Sequence, residues 1–152
     1  MLLHAKGNLI DMAEQGLFDI IVHGCNCQNT MGSGIAKEIR ARYPGVYEAD
    51  CLATQQWKNP VAKLGNFSTY ATNNFIVINA YTQLHYLPRG VDHFEYESFY
   101  LILKKLETLA SGNINFGFPY IGMGLAGGDA DRIIEMLDNF AKNVYEKGGT
   151  VT

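Results

Sequence analysis

No apolar run in this sequence approaches the ~18 residues a membrane span needs, and residues 1–6 form no signal-peptide apolar region. A soluble, cytoplasmic protein with no membrane partner is therefore expected. Cysteine is scarce: Cys25, Cys27 and Cys51 are odd in number and lack framework spacing, which excludes a disulfide scaffold and fits free thiols in a reducing compartment. An excess of positive charge is missing as well, since 12 Lys and Arg face 15 Asp and Glu for a net charge of −3. Nonspecific binding to a phosphate backbone needs clustered cations and is not expected. There is no repeat, charge block or Pro- and Ser-rich linker, so residues 1–152 read as a single domain, expected to be a monomer. At this length a chain buries roughly 70 % of its unfolded surface and needs no staples.

What the sequence has in excess is glycine, sixteen residues of 152, above the ~7 % ordinarily found. Seven of the sixteen fall in two segments: Gly24, Gly32 and Gly34 in the first, Gly122, Gly124, Gly127 and Gly128 in the second. Hydropathy patterning places each between a strand and a helix. A β-branched apolar run over 18–23 predicts a buried strand before the first segment, and Ile35, Ala36, Ile39 and Tyr43 predict a helix after it, with Lys37, Glu38, Arg40 and Arg42 facing water. Pro44 is expected to stop that helix, and residues 46–56 to form the next. Strands are expected over 66–71, 75–80, 114–118 and 150–152, a short helix over 9–15, and longer ones over 94–109 and from Ile133 to Val144. Strands apolar along most of their length and alternating with helices predict a three-layer α/β/α sandwich with a mixed, mostly parallel central sheet. Its ligand site belongs at the carboxyl ends of the strands, where both glycine segments lie.

Backbone N–H groups and a helix N-terminus can face an anion in each segment, and neither contains a Lys or an Arg. A phosphate held there would be bound by main-chain dipoles. The nucleoside-triphosphate P-loop needs a Lys after its last glycine, and Gly34-Ile35-Ala36 has none. Gly122-Met123-Gly124-Leu125-Ala126-Gly127 matches the dinucleotide fingerprint, but the acidic residue ending the next strand and the second half-fold are missing, so a dehydrogenase is not expected. His23, Cys25 and Cys27 alternate and would share a strand face, yet a fourth ligand at metal-site spacing is lacking. No metal and no cofactor are expected.

Val22-His23-Gly24-Cys25-Asn26, Met31-Gly32-Ser33-Gly34-Ile35-Ala36 and Gly124-Leu125-Ala126-Gly127-Gly128-Asp129 together resemble the macro domain, an ADP-ribose-binding fold, over nearly the whole chain. The likeness is strongest to the branch that holds ADP-ribose 1''-phosphate phosphatases, bacteriophage-encoded relatives and hydrolases of terminal ADP-ribose. The resemblance implies ADP-ribose or a derivative as partner. It places Asn8 where the family has an Asp that accepts from the adenine amino group and Asn26 at the distal ribose, with Leu9 and Cys25 beside them in the ligand-binding set. Gly32, Ser33 and Gly34 correspond to the first phosphate-facing loop, and Gly124, Leu125, Ala126, Gly127 and Gly128 to the second, with the flanking Met31, Ile35, Gly122 and Met123 also expected to bind ligand. Where lysine-type hydrolases of this branch carry their nucleophile, this chain has Gln83, which has no amine for a covalent intermediate, and their partner Asp falls on Ala126.

The expected activity is therefore removal of the 1''-phosphate by water, with His23 or Asp129 moving the proton and loop N–H groups stabilising the developing charge. The alternatives are a non-catalytic ADP-ribose reader and an ADP-ribosyl hydrolase acting on modified protein or nucleic acid without a lysyl intermediate. His23 also suits a buried core position, and Asp129 a helix cap. His85, Tyr81, Tyr86 and Tyr120 are further candidates to reach the cleft.

Overall fold

A computed structural model describes residues 1–88, 91–124 and 126–152. The elements run α1 (Leu9–Glu14), β1 (Ile20–Asn26), α2 (Gly34–Arg42), α3 (Pro44–Gln56), α4 (Pro60–Lys63), β2 (Phe67–Ala71), β3 (Ile76–Gln83), α5 (Tyr96–Leu109), β4 (Asn115–Gly117), α6 (Ala130–Glu146) and β5 (Thr150–Val151). The five strands form one sheet in the order β2-β3-β1-β4-β5. β1 runs parallel to β3 and β4, β4 parallel to β5, and β2 alone is antiparallel, to β3. This is the mixed, mostly parallel sheet expected from the patterning.

Both faces of the sheet are covered, which is why β1 and β3 carry nearly unbroken apolar runs. Ile21 and Val77 point to one side, where Ile10, Ala13, Ile39 and Val46 of α1, α2 and α3 pack on them. Val22 and Ile78 point to the other, against Phe99, Ile102 and Leu106 of α5 and Ile133 and Phe140 of α6. The stripe of α6, Ile133, Leu137, Phe140, Ala141 and Val144, is buried as its period predicts. No helix among the described residues is long and apolar enough to cross a membrane.

The structure differs from the sequence reading in four places. β1 does not stop at His23 but runs on to Asn26, with Gly24, Cys25 and Asn26 paired to Ala80, Tyr81 and Gln83 of a correspondingly longer β3. Gly24 pairs within the ladder, and glycine suits that place because a Cβ there would lie 2.9 Å from Thr82 Oγ1. Helix α3 begins at Pro44 itself, since a fixed φ suits the first helical position. Arg42 does not simply face water: it binds Glu14 at 2.7 Å and Asp11 at 2.9 Å, tying α2 to α1. Last, the short helix α4 was unforeseen; Asn59 caps it by accepting from the Val61 N–H, and Pro60 follows. It delivers Lys63 into the interior, where Nζ donates to Asp50 Oδ1 at 2.6 Å and Thr54 Oγ1 at 2.8 Å. Periodicity cannot mark a buried lysine, because the pairing that makes it tolerable comes from how the preceding helix α3 packs against α4.

Candidate functional site

The carboxyl ends of β1 and β3, with the segment following β4, open onto a cleft of two lobes that share Ile35, Pro119 and Tyr120. The larger lobe, about 650 Å³, is lined by Gly24, Cys25 and Asn26 from β1, the first turn of α2, Thr82 and Gln83 from β3, and Gly122, Gly124 and Ala126 from the second glycine loop. Its described lining contains no ionisable carboxylate, amine, guanidinium or imidazole. The smaller lobe, about 330 Å³, lies between the N-terminal segment and α6 and takes in Asn8, Leu9, Glu38, Phe118 and Met123.

The first loop, residues 27–33, is held open by side chains. Asn26 Oδ1 accepts from the Gln28 N–H at 2.8 Å, and its Nδ2 donates to Thr30 Oγ1 at 2.8 Å. Gln28 Nε2 reaches the Leu84 carbonyl beyond β3. Ser33 occupies the N-cap of α2 but makes no side-chain cap bond, and Gly34, Ile35 and Ala36 of the first turn line the larger lobe. First-turn N–H groups lack intrahelical partners, so this end of α2 presents donors and the positive end of its dipole to the cavity.

The second loop, residues 118–129, folds on itself. The Gly128 N–H donates to the Gly122 carbonyl at 2.7 Å, Gly127 to Gly124 at 3.0 Å, and His93 to Ala126 at 2.8 Å. Asp129 caps α6, accepting from the N–H groups of Asp131 and Arg132, while its own N–H donates to Tyr96 Oη. Gly122 and Gly127 have positive φ and lie close against Phe94 and the Val91 carbonyl. Gly32, Gly34 and Gly124 instead have nothing within 4 Å of where a Cβ would be, and all three line the larger lobe.

Of the residues expected to bind ligand, Asn8, Leu9, Cys25, Asn26, Gly32, Ser33, Gly34, Ile35, Gly122, Met123, Gly124 and Ala126 line one lobe or the other. Met31 does not: it is 1 % exposed and packed in the core beneath α1–α3. Gly127 and Gly128 line neither lobe and lie against the Val91 and Gly122 carbonyls, and Leu125 lies outside the described residues. Asn8 Oδ1 caps α1 by accepting from the N–H groups of Ile10 and Asp11 at 3.0 Å each.

His23 is fully buried on the α3 face of β1 and lines neither lobe. Its Nε2 lies 2.6 Å from Asn79 Oδ1, whose amide nitrogen donates to the Val46 carbonyl and Ser68 Oγ, so the proton sits on Nε2. Burial outweighs that hydrogen bond and lowers the His23 pKa to about 4. The ring is a neutral core group at physiological pH. Asp129 also lines neither lobe. Burial raises the thiol of Cys25 well above its ordinary value and that of Cys27 to about 11, which leaves both protonated. No group of three His, Cys, Asp or Glu side chains able to hold a metal ion occurs among the described residues.

Tyr81 is buried and donates to Asp50 Oδ1, whereas Tyr86 and Tyr120 stand exposed at the larger lobe. Gln83 lines that lobe, its Nε2 donating to the His85 carbonyl. Among the lining residues that the sequence reading did not assign to the site are Thr82 and Glu38. Thr82 lies at the bulge where β1 and β3 lose register, and its Oγ1 is buried with no hydrogen-bond partner among the described residues. Glu38 reads as a solvent-facing helix residue, because only the packing of α2 beside α1 turns it to the smaller lobe.

A three-layer α/β/α sandwich with a two-lobed cleft over the carboxyl ends of its strands, the larger lobe glycine-flanked and without a charged side chain in its described lining, is a ligand-binding domain of recognisable type. The chain belongs to the Macro domain family, which matches residues 22–137. More particularly, it is 32 % identical over 148 residues to the uncharacterized 17.5 kDa protein of the tk-vs intergenic region of Enterobacteria phage T4, covering 93 % of this chain and 90 % of that protein. Among solved structures, the macrodomain of Mycobacterium tuberculosis DarG superposes with a TM-score of 0.79 at 19 % identity, over 99 % of this chain and 96 % of that one. DarTG of Thermosipho africanus, solved in complex with ADP-ribose, superposes with a TM-score of 0.65 at 17 % identity, over 83 % of this chain and 35 % of its own.

Proposed function

We propose that this chain binds ADP-ribose or a derivative along the two-lobed cleft, the base in the smaller lobe and the diphosphate and distal ribose in the larger. The observation that carries this reading is the larger lobe itself: a cavity of about 650 Å³ with no cationic side chain in its described lining, bounded by a helix first turn and by glycines at which a Cβ would meet open space. Such a lobe suits an anion that is gripped by main-chain dipoles over a long contact. The Thermosipho structure with ADP-ribose supports the choice of nucleotide, as does family membership.

Calorimetric titration with ADP-ribose is expected to give one site per chain, with AMP binding more weakly because it lacks the distal ribose and second phosphate. Absence of heat, together with an unchanged melting temperature at millimolar ADP-ribose, overturns the assignment.

Hydrolysis of ADP-ribose 1''-phosphate is the second reading, favoured by the same uncharged lobe, where N–H donors would neutralise a phosphoryl group better than bulk water does. Buried His23 and capping Asp129 do not support it as proton carriers, since neither lines the cleft. Orthophosphate release from that ester above the uncatalysed rate is the measurement that decides; binding without release leaves a reader of ADP-ribose.

A further inference from the structure

The smaller lobe contains a carboxylate whose chemistry suits discrimination between bases, and it is not at the family's usual position. Asn8 Oδ1 already accepts two main-chain N–H groups, which occupies both lone pairs of an amide oxygen. Its Nδ2 donates to Glu38 Oε1 at 3.0 Å, so Asn8 has no acceptor left for a ligand. Glu38 lines the same lobe. Its Oε1 is held from two sides, by Asn8 and by Arg42 Nη1 at 3.5 Å, and Arg42 is itself fixed by Asp11 and Glu14. Oε2 meets no donor among the described residues.

We propose that Glu38, with Oε2 as acceptor, is the specificity-determining residue for the base, selecting a ring that bears an exocyclic amino group beside the lobe over one that bears a carbonyl there. Asn8 and Arg42 are positioning residues that clamp Oε1 and leave the second oxygen for the ligand. A carboxylate can only accept, so adenine gains a charge-assisted hydrogen bond while hypoxanthine would set its carbonyl oxygen against a negative charge. The inference rests on the cleft binding ADP-ribose and assigns its base selectivity.

The test is calorimetry on the full chain with ADP-ribose and with its hypoxanthine counterpart, for the wild type, Glu38→Gln, Glu38→Ala and Asn8→Ser, with melting temperatures confirming that each variant is folded. Wild type is expected to prefer adenine by ~10-fold or more, in line with a hydrogen bond to a charged group. Glu38→Gln, whose amide can accept or donate, and Glu38→Ala are expected to bring the ratio to within ~3-fold. Asn8→Ser keeps a capping oxygen but loses the Nδ2 bond to Glu38 Oε1, and with Arg42 still holding that oxygen it is expected to weaken the preference partially, by ~3-fold, and less than either Glu38 variant. An unchanged ratio in both Glu38 variants, or an equal loss for both bases, overturns the assignment, as does a preference that disappears in Asn8→Ser and survives in Glu38→Gln. A wild type that binds neither nucleotide overturns the ADP-ribose reading itself and this inference with it, an outcome distinct from the others.

Discussion

The first glycine loop is braced by side chains, whereas the second is braced by its own main chain. Asn26, Thr30 and Gln28 hold the first through amide and hydroxyl bonds, and its glycines at 32 and 34 look onto empty cleft. In the second, Gly122, Gly127 and Gly128 are closed upon by Phe94, the Val91 carbonyl and one another, and only Gly124 has open space before it. Two segments with the same strand-glycine-helix order thus use glycine for different ends. In one it leaves the chain open to the cleft; in the other it mostly lets the chain approach itself.

Gly122→Ala should break the second loop with the largest effect. A left-handed residue that gains a Cβ costs ~1–2 kcal/mol, and the Cβ would also collide with the buried ring of Phe94, adding ~1–3 kcal/mol of overpacking. A loss of about 3 kcal/mol in urea unfolding is expected, with ADP-ribose binding lost alongside; a loss below about 1 kcal/mol would show that this loop is as loosely packed as the first.

Acid attacks the footing of the first loop, because His23 lies on the strand that leads into it. The folded pKa is about 4 against an ordinary 6.5, so the fold favours the neutral ring. Its contribution is complete above about pH 6.5 and declines as pH falls toward about 4, where the unfolded chain takes up the proton first. Over that window the group withdraws about 3 kcal/mol. Urea midpoints measured from pH 7 to pH 4 should fall, and the fall should be shallower in His23→Gln. A parallel pH slope in the variant would assign the acid sensitivity elsewhere.

Asn26→Ala removes the side-chain brace of the first loop directly. Bonds to the Gln28 N–H and Thr30 Oγ1 disappear at a part-buried site, for an expected loss of about 1–2 kcal/mol. Amide exchange should quicken over residues 27–33 and stay unchanged over 118–129. Equal quickening in both loops would mean that they are mechanically one unit.

Much of the fold was legible because its causes are local. The stripes of α5 and α6 and the apolar runs of β1 and β3 are dictated by which face is buried, and a parallel sheet puts its site at the carboxyl ends of its strands. The site was legible to the level of its loops, since strand, glycines and helix follow one another in the chain. What escaped depends on distant partners. Gly24 reads as a turn until Thr82 is seen where a Cβ would sit. Met31 and Gly32 are neighbours in the chain, and only the packing of α1 to α3 sends Met31 inward. Glu38 follows the solvent-facing pattern of α2 and still lines the smaller lobe, because Arg42 and Asn8 hold it there. The separation of ligand-facing from packing glycines was equally hidden, as it rests on Phe94 and Val91, about 30 residues from the glycines they press against.

The smallest effect on stability and the most direct test of the comparison come from a matched pair, Gly32→Ala and Gly124→Ala, one in each loop. Neither position has a positive φ, and neither would place a Cβ within 4 Å of another group, so folding stability should change by no more than about 0.5 kcal/mol. Both residues line the larger lobe, however, and on the proposed ADP-ribose reading a methyl group there would stand where phosphate or ribose comes close to the backbone. ADP-ribose affinity should therefore fall ~10-fold or more, worth about 1.4 kcal/mol, with melting temperatures of the free proteins unchanged. The opposite result, lost stability with retained binding, would place these two glycines with Gly122 and Gly127 as packing residues and erase the distinction between the loops. Loss of binding in Gly32→Ala alone would restrict ligand contact to the first loop and leave the second as a wall of the cleft.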